Sequence, residues 1–163
     1  MNRLLVEPAL LDHDAVALPR DAERHLKVLR VKPDEAVELF DGHGRLRTYT
    51  VAAGCRLAAS GPVRSVPRPR TELVLFACVT KGSRWDWTIE KATELGAARI
   101  VPVISDRTIV RLDAAERPAK AERWRRVAED AARQSDAAWL PEVLAPVDFK
   151  DSLALLPSPT FVG

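Results

Sequence analysis

The chain has 163 residues, 47% hydrophobic and 29% charged, which is ordinary globular composition and enough for one domain or two small ones. No apolar run approaches the roughly 20 residues that cross a bilayer, and the opening MNRLLVEPALLDHD meets acids too early for a signal peptide. The two cysteines, Cys55 and Cys78, form no CxxC, so they are expected to be small buried hydrophobes in a reducing, cytoplasmic setting, with neither a disulfide framework nor a metal site. The net charge of +2 is unevenly placed: residues 1–70 hold 12 Lys/Arg against 9 Asp/Glu, and residues 71–163 hold 13 against 14. A basic first segment is compatible with RNA contact, and equally with ordinary solvated surface.

Residues 1–66 read as a small β-rich unit. Arg3–Val6 and Ala15–Leu18 are short strands, and Asp21 is placed to cap a helix over residues 22–29 with Leu26 and Leu29 inward. Ala36–Phe40 and Arg45–Ala53 flank Asp41-Gly42-His43-Gly44, and Asp-Gly between apolar stretches is a strong hairpin signal. Arg56–Ala59 and Val63–Val66 complete a set whose spacing suggests a small barrel. Val66-Pro67-Arg68-Pro69-Arg70 is a stiff, extended linker, and places a domain boundary between residues 1–69 and 70–163.

The second part opens on a βαβ unit. Leu73–Val79 is a continuous apolar run, the pattern of a strand covered on both faces. Arg84–Leu95 carries a helical stripe of Trp85, Ile89, Ala92 and Leu95, and Gly96 sits where that helix stops. Ile100–Ile104 is the second strand, which implies parallel pairing across a right-handed crossover. After a polar loop holding Asp106, Arg107 and Arg111, Pro118 suits the first turn of a long helix with the stripe Ala121, Trp124, Ala128, Ala131. Trp139–Leu144 reads as a short strand, and Asp148 as the cap of a last helix through Leu156. Phe161-Val162 looks like the start of another strand, so residues 70–163 are expected to be part of a domain.

No P-loop and no GxGxxG occurs, and the serines lack a nucleophile-elbow context. His13, His25 and His43 have no metal-ligand spacing. Lys81 and Arg84 fall at the C-terminal end of the first strand of the βαβ unit, where open α/β sheets bind ligands. Glu90, Lys91 and Glu94 read as one side of the following helix, solvent-facing unless recruited to a site. Arg24, Lys27 and Arg30, with Arg3, Arg45 and Arg47, are candidates for a phosphate-binding patch, with scattered surface charge as the alternative. Trp87 lies off the main helical stripe and is a candidate for contact with a partner subunit.

The segments HLKVLRVKPDEAVELFDGHG (25–44), VTKGSRWDWTIEKATELGAARIVPVISDRTIVR (79–111) and ERWRRVAEDAARQSDAAWLPEV (122–143) resemble the bacterial 16S ribosomal RNA uridine N(3)-methyltransferases, the small-subunit methyltransferase E family of the SPOUT superfamily. The match spans nearly the whole chain in order. It implies an N-terminal PUA-like RNA-binding β-barrel (1–69) and the first part (70–163) of a C-terminal, Rossmann-like SPOUT α/β domain with a trefoil knot. It also implies a homodimer, S-adenosylmethionine as methyl donor, and a uridine of 16S ribosomal RNA in the small ribosomal subunit as acceptor. The family's Gly-Pro-Glu-Gly-Gly and later Leu-Gly…Leu-Arg cofactor segments do not occur, so the donor site is expected beyond Gly163 and the chain as given is expected to be inactive. Ala137 stands where the family usually has an arginine.

For this reaction Arg3, Lys27, Arg30, Lys81, Arg84 and Arg107 are the RNA-binding candidates, with Glu94 and Lys91 the catalytic candidates and no residue singled out as the base. The alternative reading is a non-catalytic RNA-binding or ribosome-assembly module that uses the basic barrel alone. A nucleotide-binding α/β domain is a third, disfavoured by the missing glycine-rich phosphate loop.

Overall fold

A computed structural model describes residues 1–18, 20–28, 30–52, 56–108, 110 and 112–161, without the side chains of Asp21, His25 and Lys27. Leu29, Ala53, Cys55, Arg111 and Val162 therefore lie outside the described residues. The chain divides into two compact units, Met1–Arg68 with Asp136–Trp139, and Pro69–Ser135 with Leu140–Gly163. No helix among the described residues is long and apolar enough to cross a membrane.

The first unit is a six-stranded sheet. Its strands are β1 (Asn2–Leu5), β2 (Ala15–Ala17), β3 (Ala36–Phe40), β4 (Arg45–Val51), β5 (Arg56–Ala59) and β6 (Arg64–Ser65), with helix α1 (Arg20–Val28) between β2 and β3. The pairing path is β1-β3-β4-β5-β2, with β6 also on β4. All the ladders are antiparallel except β1–β3. Leu4, Val16, Leu26, Val37, Leu39, Tyr49 and Leu57 meet in one core, so strands β1 to β5 and the helix all supply it. The helix begins at Arg20, one residue ahead of the expected cap.

The β3–β4 hairpin forms because its turn satisfies itself. Asp41 Oδ1 accepts from the backbone N–H of His43 (2.7 Å) and of Arg45 (3.0 Å), while Gly42 and Gly44 take φ of 73° and 91°, conformations cheap only for glycine.

Asp136–Trp139 completes this unit, which corrects the strand expected from Trp139. Gly44 N donates to Ala138 O (2.9 Å), Trp139 Nε1 donates to Val66 O (3.0 Å), and Trp139 forms an isolated bridge with His43. The Arg68 guanidinium lies 5.5 Å from the centre of the Trp139 ring. The strand itself is limited to Glu142–Val143.

The second unit is a parallel sheet. Its strands are β7 (Val74–Cys78), β8 (Arg99–Ile104), β9 (Glu142–Val143) and β10 (Val147–Asp148), with helices α2 (Ser83–Glu94), α3 (Arg117–Gln134) and α4 (Phe149–Ser152). β7 pairs with one side of β8. On the other side β9 pairs with Arg99 and Ile100, and β10 with Val103 and Ile104. β9 and β10 are thus two pieces of one interrupted neighbour. Pro102, which has no N–H to give, falls in the stretch of β8 opposite that interruption.

Trp85, Ile89 and Ala92 of α2 pack with Trp124 and Ala128 of α3, and the two indoles meet edge to face at 5.6 Å. The helix α2 ends one residue before Leu95, which is 80% exposed instead of joining the stripe. Gly96, at φ 79°, donates to Thr93 O, and Ala97 N donates to Ala92 O, the bond pattern that closes a helix through a left-handed residue.

Four further expectations are corrected here. β7 is not fully buried: Val74–Ala77 are half-buried, and among the described residues this strand pairs only with β8, whereas Ile100–Val103 of the central β8 are buried. Cys78 is exposed at the end of β7. Asp148 does not cap α4 with its side chain; its carboxylate accepts from Arg117 Nη2 at 2.8 Å. Phe161 is 91% exposed and lies in no strand.

Candidate RNA-binding cavity at the strand ends

Strands β7 and β8 run parallel and so finish at the same end of the sheet. The segments that leave them, Cys78–Lys81 and Ser105–Thr108, line a cavity of about 780 Å3, with Arg84 from the first turn of α2. This is the end at which open α/β sheets take ligands. The loop after β8 is pinned as a tight turn. Thr108 N donates to Ser105 O (2.9 Å), Ser105 N donates to Thr108 Oγ1 (2.9 Å), and the two hydroxyls lie 3.0 Å apart. Thr108 is buried by these bonds, which leaves Asp106 and Arg107 exposed at the tip. The turn therefore presents Arg107 from a fixed backbone.

Lys81, Arg84 and Arg107 are all exposed. None of the three side chains forms an ion pair among the described residues. Three uncompensated cations around a concave surface concentrate positive potential there. The cavity lining holds no carboxylate among the described residues. Its chemistry suits phosphate oxygens, or carbonyl oxygens that gain negative charge.

The other sequence candidates lie elsewhere. Arg3 is corrected: it is buried at 4% exposure, its Nε donates to Glu38 Oε1 (2.8 Å), its Nη1 to Ala137 O (3.2 Å), and its guanidinium lies 4.3 Å from the Phe40 ring centre. That environment makes Arg3 an internal brace and not the surface cation that its place in the sequence suggests. Arg45 pairs with Asp12, and Arg47 with Asp14 at 2.6 Å, each guanidinium pushed above its ordinary pKa by that side-chain hydrogen bond. Arg47 also donates to the carbonyls of Gly61 and Leu11. Arg24 and Arg30 are exposed, and the Lys27 side chain lies outside the described residues.

Glu94 and Lys91 are not brought to the cavity. Lys91 Nζ donates to Glu90 Oε1 (2.8 Å) and to both Glu94 oxygens (2.8 and 2.9 Å) on the side of α2. The lysine is raised above its usual pKa by the hydrogen bonds it donates to Glu90 and Glu94, and Glu90 is lowered by Lys91, so the three groups satisfy one another. Trp87 is 61% exposed. Sequence reading missed Ser105, Thr108 and Cys78. A Ser-x-x-Thr after a strand is the available signal for the turn, and nothing local reports that β7 ends exposed. Among the described residues, no group of three or more His, Cys, Asp or Glu is placed to hold a metal ion.

Residues 67–162 match the RNA methyltransferase domain family, and residues 18–54 the RNA methyltransferase PUA domain family. The chain is 32% identical over 153 residues to the ribosomal RNA small subunit methyltransferase E of Synechocystis, covering 90% of this chain and 48% of that protein. It thus spans about half the length of that relative. The crystal structure of the Neisseria gonorrhoeae ribosomal RNA small subunit methyltransferase E bound to S-adenosyl methionine superposes with a TM-score of 0.83 at 34% identity, over 97% of this chain and 67% of that one. A Legionella pneumophila putative methyltransferase, with a TM-score of 0.77 at 23% identity, shares the fold. A PUA-type first unit, an RNA methyltransferase second unit and the Neisseria likeness together place this chain in the ribosomal RNA small subunit methyltransferase E family.

Proposed function

We propose that the protein methylates N(3) of a uridine in the 16S RNA of the small ribosomal subunit, as a cytoplasmic homodimer with S-adenosylmethionine as methyl donor. The observation that carries this reading is the cavity at the ends of β7 and β8, where Lys81, Arg84 and Arg107 have no acidic partners among the described residues, in a domain of RNA methyltransferase type. Methylation at N(3) requires the nucleotide to be held in one orientation, the N(3) proton to leave, and the charge growing on the uracil oxygens to meet positive groups. Lys81, Arg84 and Arg107 supply the first and third of these by gripping phosphate and facing the base carbonyls. The cationic lining, without a carboxylate among the described residues, does not suit a sulfonium, so none of the described residues is assigned to the donor. The first unit, through the exposed Arg24 and Arg30, adds RNA contact.

The test is a mass map of 16S RNA fragments from cells with and without the gene. Loss of one uridine methyl group, restored by the wild-type gene and not by a Lys81→Ala/Arg107→Ala version, is the expected result. An unchanged methyl complement in the deletion strain would overturn the reading.

A further inference from the structure

A second cavity, of about 310 Å3, lies beside the first, and the two share Val79 and Thr80 as a wall. Its other side comes from α2 and α3, with Asp86, Lys120 and Arg123 as the charged lining. Lys120 forms no ion pair among the described residues, while Arg123 donates to Asp86 Oδ2. Two buried polar atoms of lining residues also lack partners: the indole N–H of Trp85, a residue only 2% exposed, and Asp86 Oδ1. Buried polar groups are nearly always hydrogen-bonded, so an orphan donor and an orphan acceptor on consecutive residues of one cavity wall call for an explanation.

The volume is at the small end of ligand cavities, which run from about 300 to 1,000 Å3. Two cations with polar groups of both signs describe a ligand that is anionic and also carries hydroxyls. Continuity with the first cavity across Val79 and Thr80 describes a ligand that passes from one to the other.

We infer that this second cavity is a subsite for the ribose-phosphate of the nucleotide adjoining the one held at the strand ends, with its phosphate on Lys120 and Arg123. The inference rests on the RNA reading of the first cavity. It extends that reading from one nucleotide to a single-stranded track of at least two. Asp86 supplies an acceptor suited to a sugar hydroxyl, and its ion pair holds Arg123 over the cavity until phosphate arrives.

The test titrates the full chain with uridine 5′-monophosphate and with hexauridylate over a range of salt concentrations. Variants are Lys120→Glu, Lys120→Gln and, as a control for the first cavity, Lys81→Ala. Lys120 is half-buried and has no ion pair to lose among the described residues, and the Gln version gives the same readout should the Glu version melt early. Lys120→Glu is expected to weaken hexauridylate roughly tenfold and to lower its log–log salt slope by about 0.7, the share of one single-strand phosphate. Monophosphate binding should stay within about twofold, because the subsite serves the neighbouring nucleotide. Wild-type affinity and slope for hexauridylate in the Lys120 variants would overturn the inference, as would an equal loss for the monophosphate. In either case, Lys81→Ala still weakening both ligands leaves the first cavity's role standing; Lys81→Ala without effect removes that role as well.

Discussion

In the first unit Arg3, Arg45, Arg47 and Arg64 each hold a carboxylate, from Glu38, Asp12 or Asp14. In the second, Lys81, Arg84 and Arg107 hold none among the described residues. Counting charge along the chain favours the first unit as the basic one, +3 for residues 1–70 against −1 for residues 71–163. Geometry adds which of those cations are already engaged. Four of the first unit's cations are engaged in internal structure, and the cations at the strand ends remain available. Net charge reports how many cations a segment carries, whereas binding depends on how many are left uncompensated on a concave surface.

The largest effect should come from breaking the internal group. Glu38 joins Arg3 at 2.8 Å and Arg64 at 2.5 Å, with the Arg3 side chain only 1% exposed. Glu38→Ala removes the carboxylate that Arg3 and Arg64 share, leaving the buried Arg3 with the more distant Asp136 at 3.8 Å, and should cost about 3–5 kcal/mol in urea unfolding. A loss under about 1 kcal/mol would show that Phe40 and the Ala137 carbonyl suffice to hold Arg3. Next is Gly44→Ala. The new Cβ would meet the Trp139 ring at 2.5 Å and the Val66 carbonyl at 2.7 Å, at a φ of 91°. It should lower stability by about 1–3 kcal/mol and alter the near-ultraviolet signal of Trp139. A full-stability variant with an unchanged signal would contradict the docking of residues 136–139.

Lys81→Ala and Arg107→Ala should each weaken RNA by about 1.5 kcal/mol, roughly tenfold, the worth of a hydrogen bond to a charged group. Their melting curves should be unchanged, since neither residue braces the fold; a fall in melting temperature matching the fall in affinity would move them into the internal class. The smallest effect concerns Glu129 on α3. Burial outweighs the pull of Arg133 and raises its carboxyl above the usual value. A raised folded-state pKa means that the ionised form costs stability at neutral pH, and that the cost fades as pH falls through the folded value toward the unfolded one. Because the side chain is a third exposed, the effect is small. Glu129→Gln should raise the melting temperature slightly at pH 7 and not at pH 3.5 to 4, and a variant less stable at pH 7 would contradict the sign.

Local patterns read well where a local cause sets the structure. Ala36–Phe40 and Arg56–Ala59 have their expected bounds, because the Asp-Gly turn and strand alternation are nearest-neighbour signals. The α3 stripe Ala121, Trp124, Ala128, Ala131 is buried as its spacing requires. The errors involve partners distant in sequence. Arg3 reads as surface charge because its counterion is 35 residues away. Trp139 reads as part of a strand because Val66 and Gly44, which hold it, are invisible to a local window. β7 and β8 are equally apolar, and only the pairing distinguishes the half-buried edge from the buried centre. Lys81 and Arg84 were legible from strand-end position alone. The exposed Arg107 needed the Ser105–Thr108 turn to be given a place.

On the proposed reading, RNA is held by the cations at the strand ends, unpaired among the described residues, and not by the paired ones of the first unit. The most direct measurement is the salt dependence of hexauridylate affinity for the wild-type chain, an Arg45→Ala/Arg47→Ala variant and a Lys81→Ala/Arg84→Ala/Arg107→Ala variant. The triple variant should lose about 2 from the log–log slope, three contacts at about 0.7 each, while the double variant keeps the wild-type slope. A wild-type slope in the triple variant, or an equal loss in the double, would contradict it.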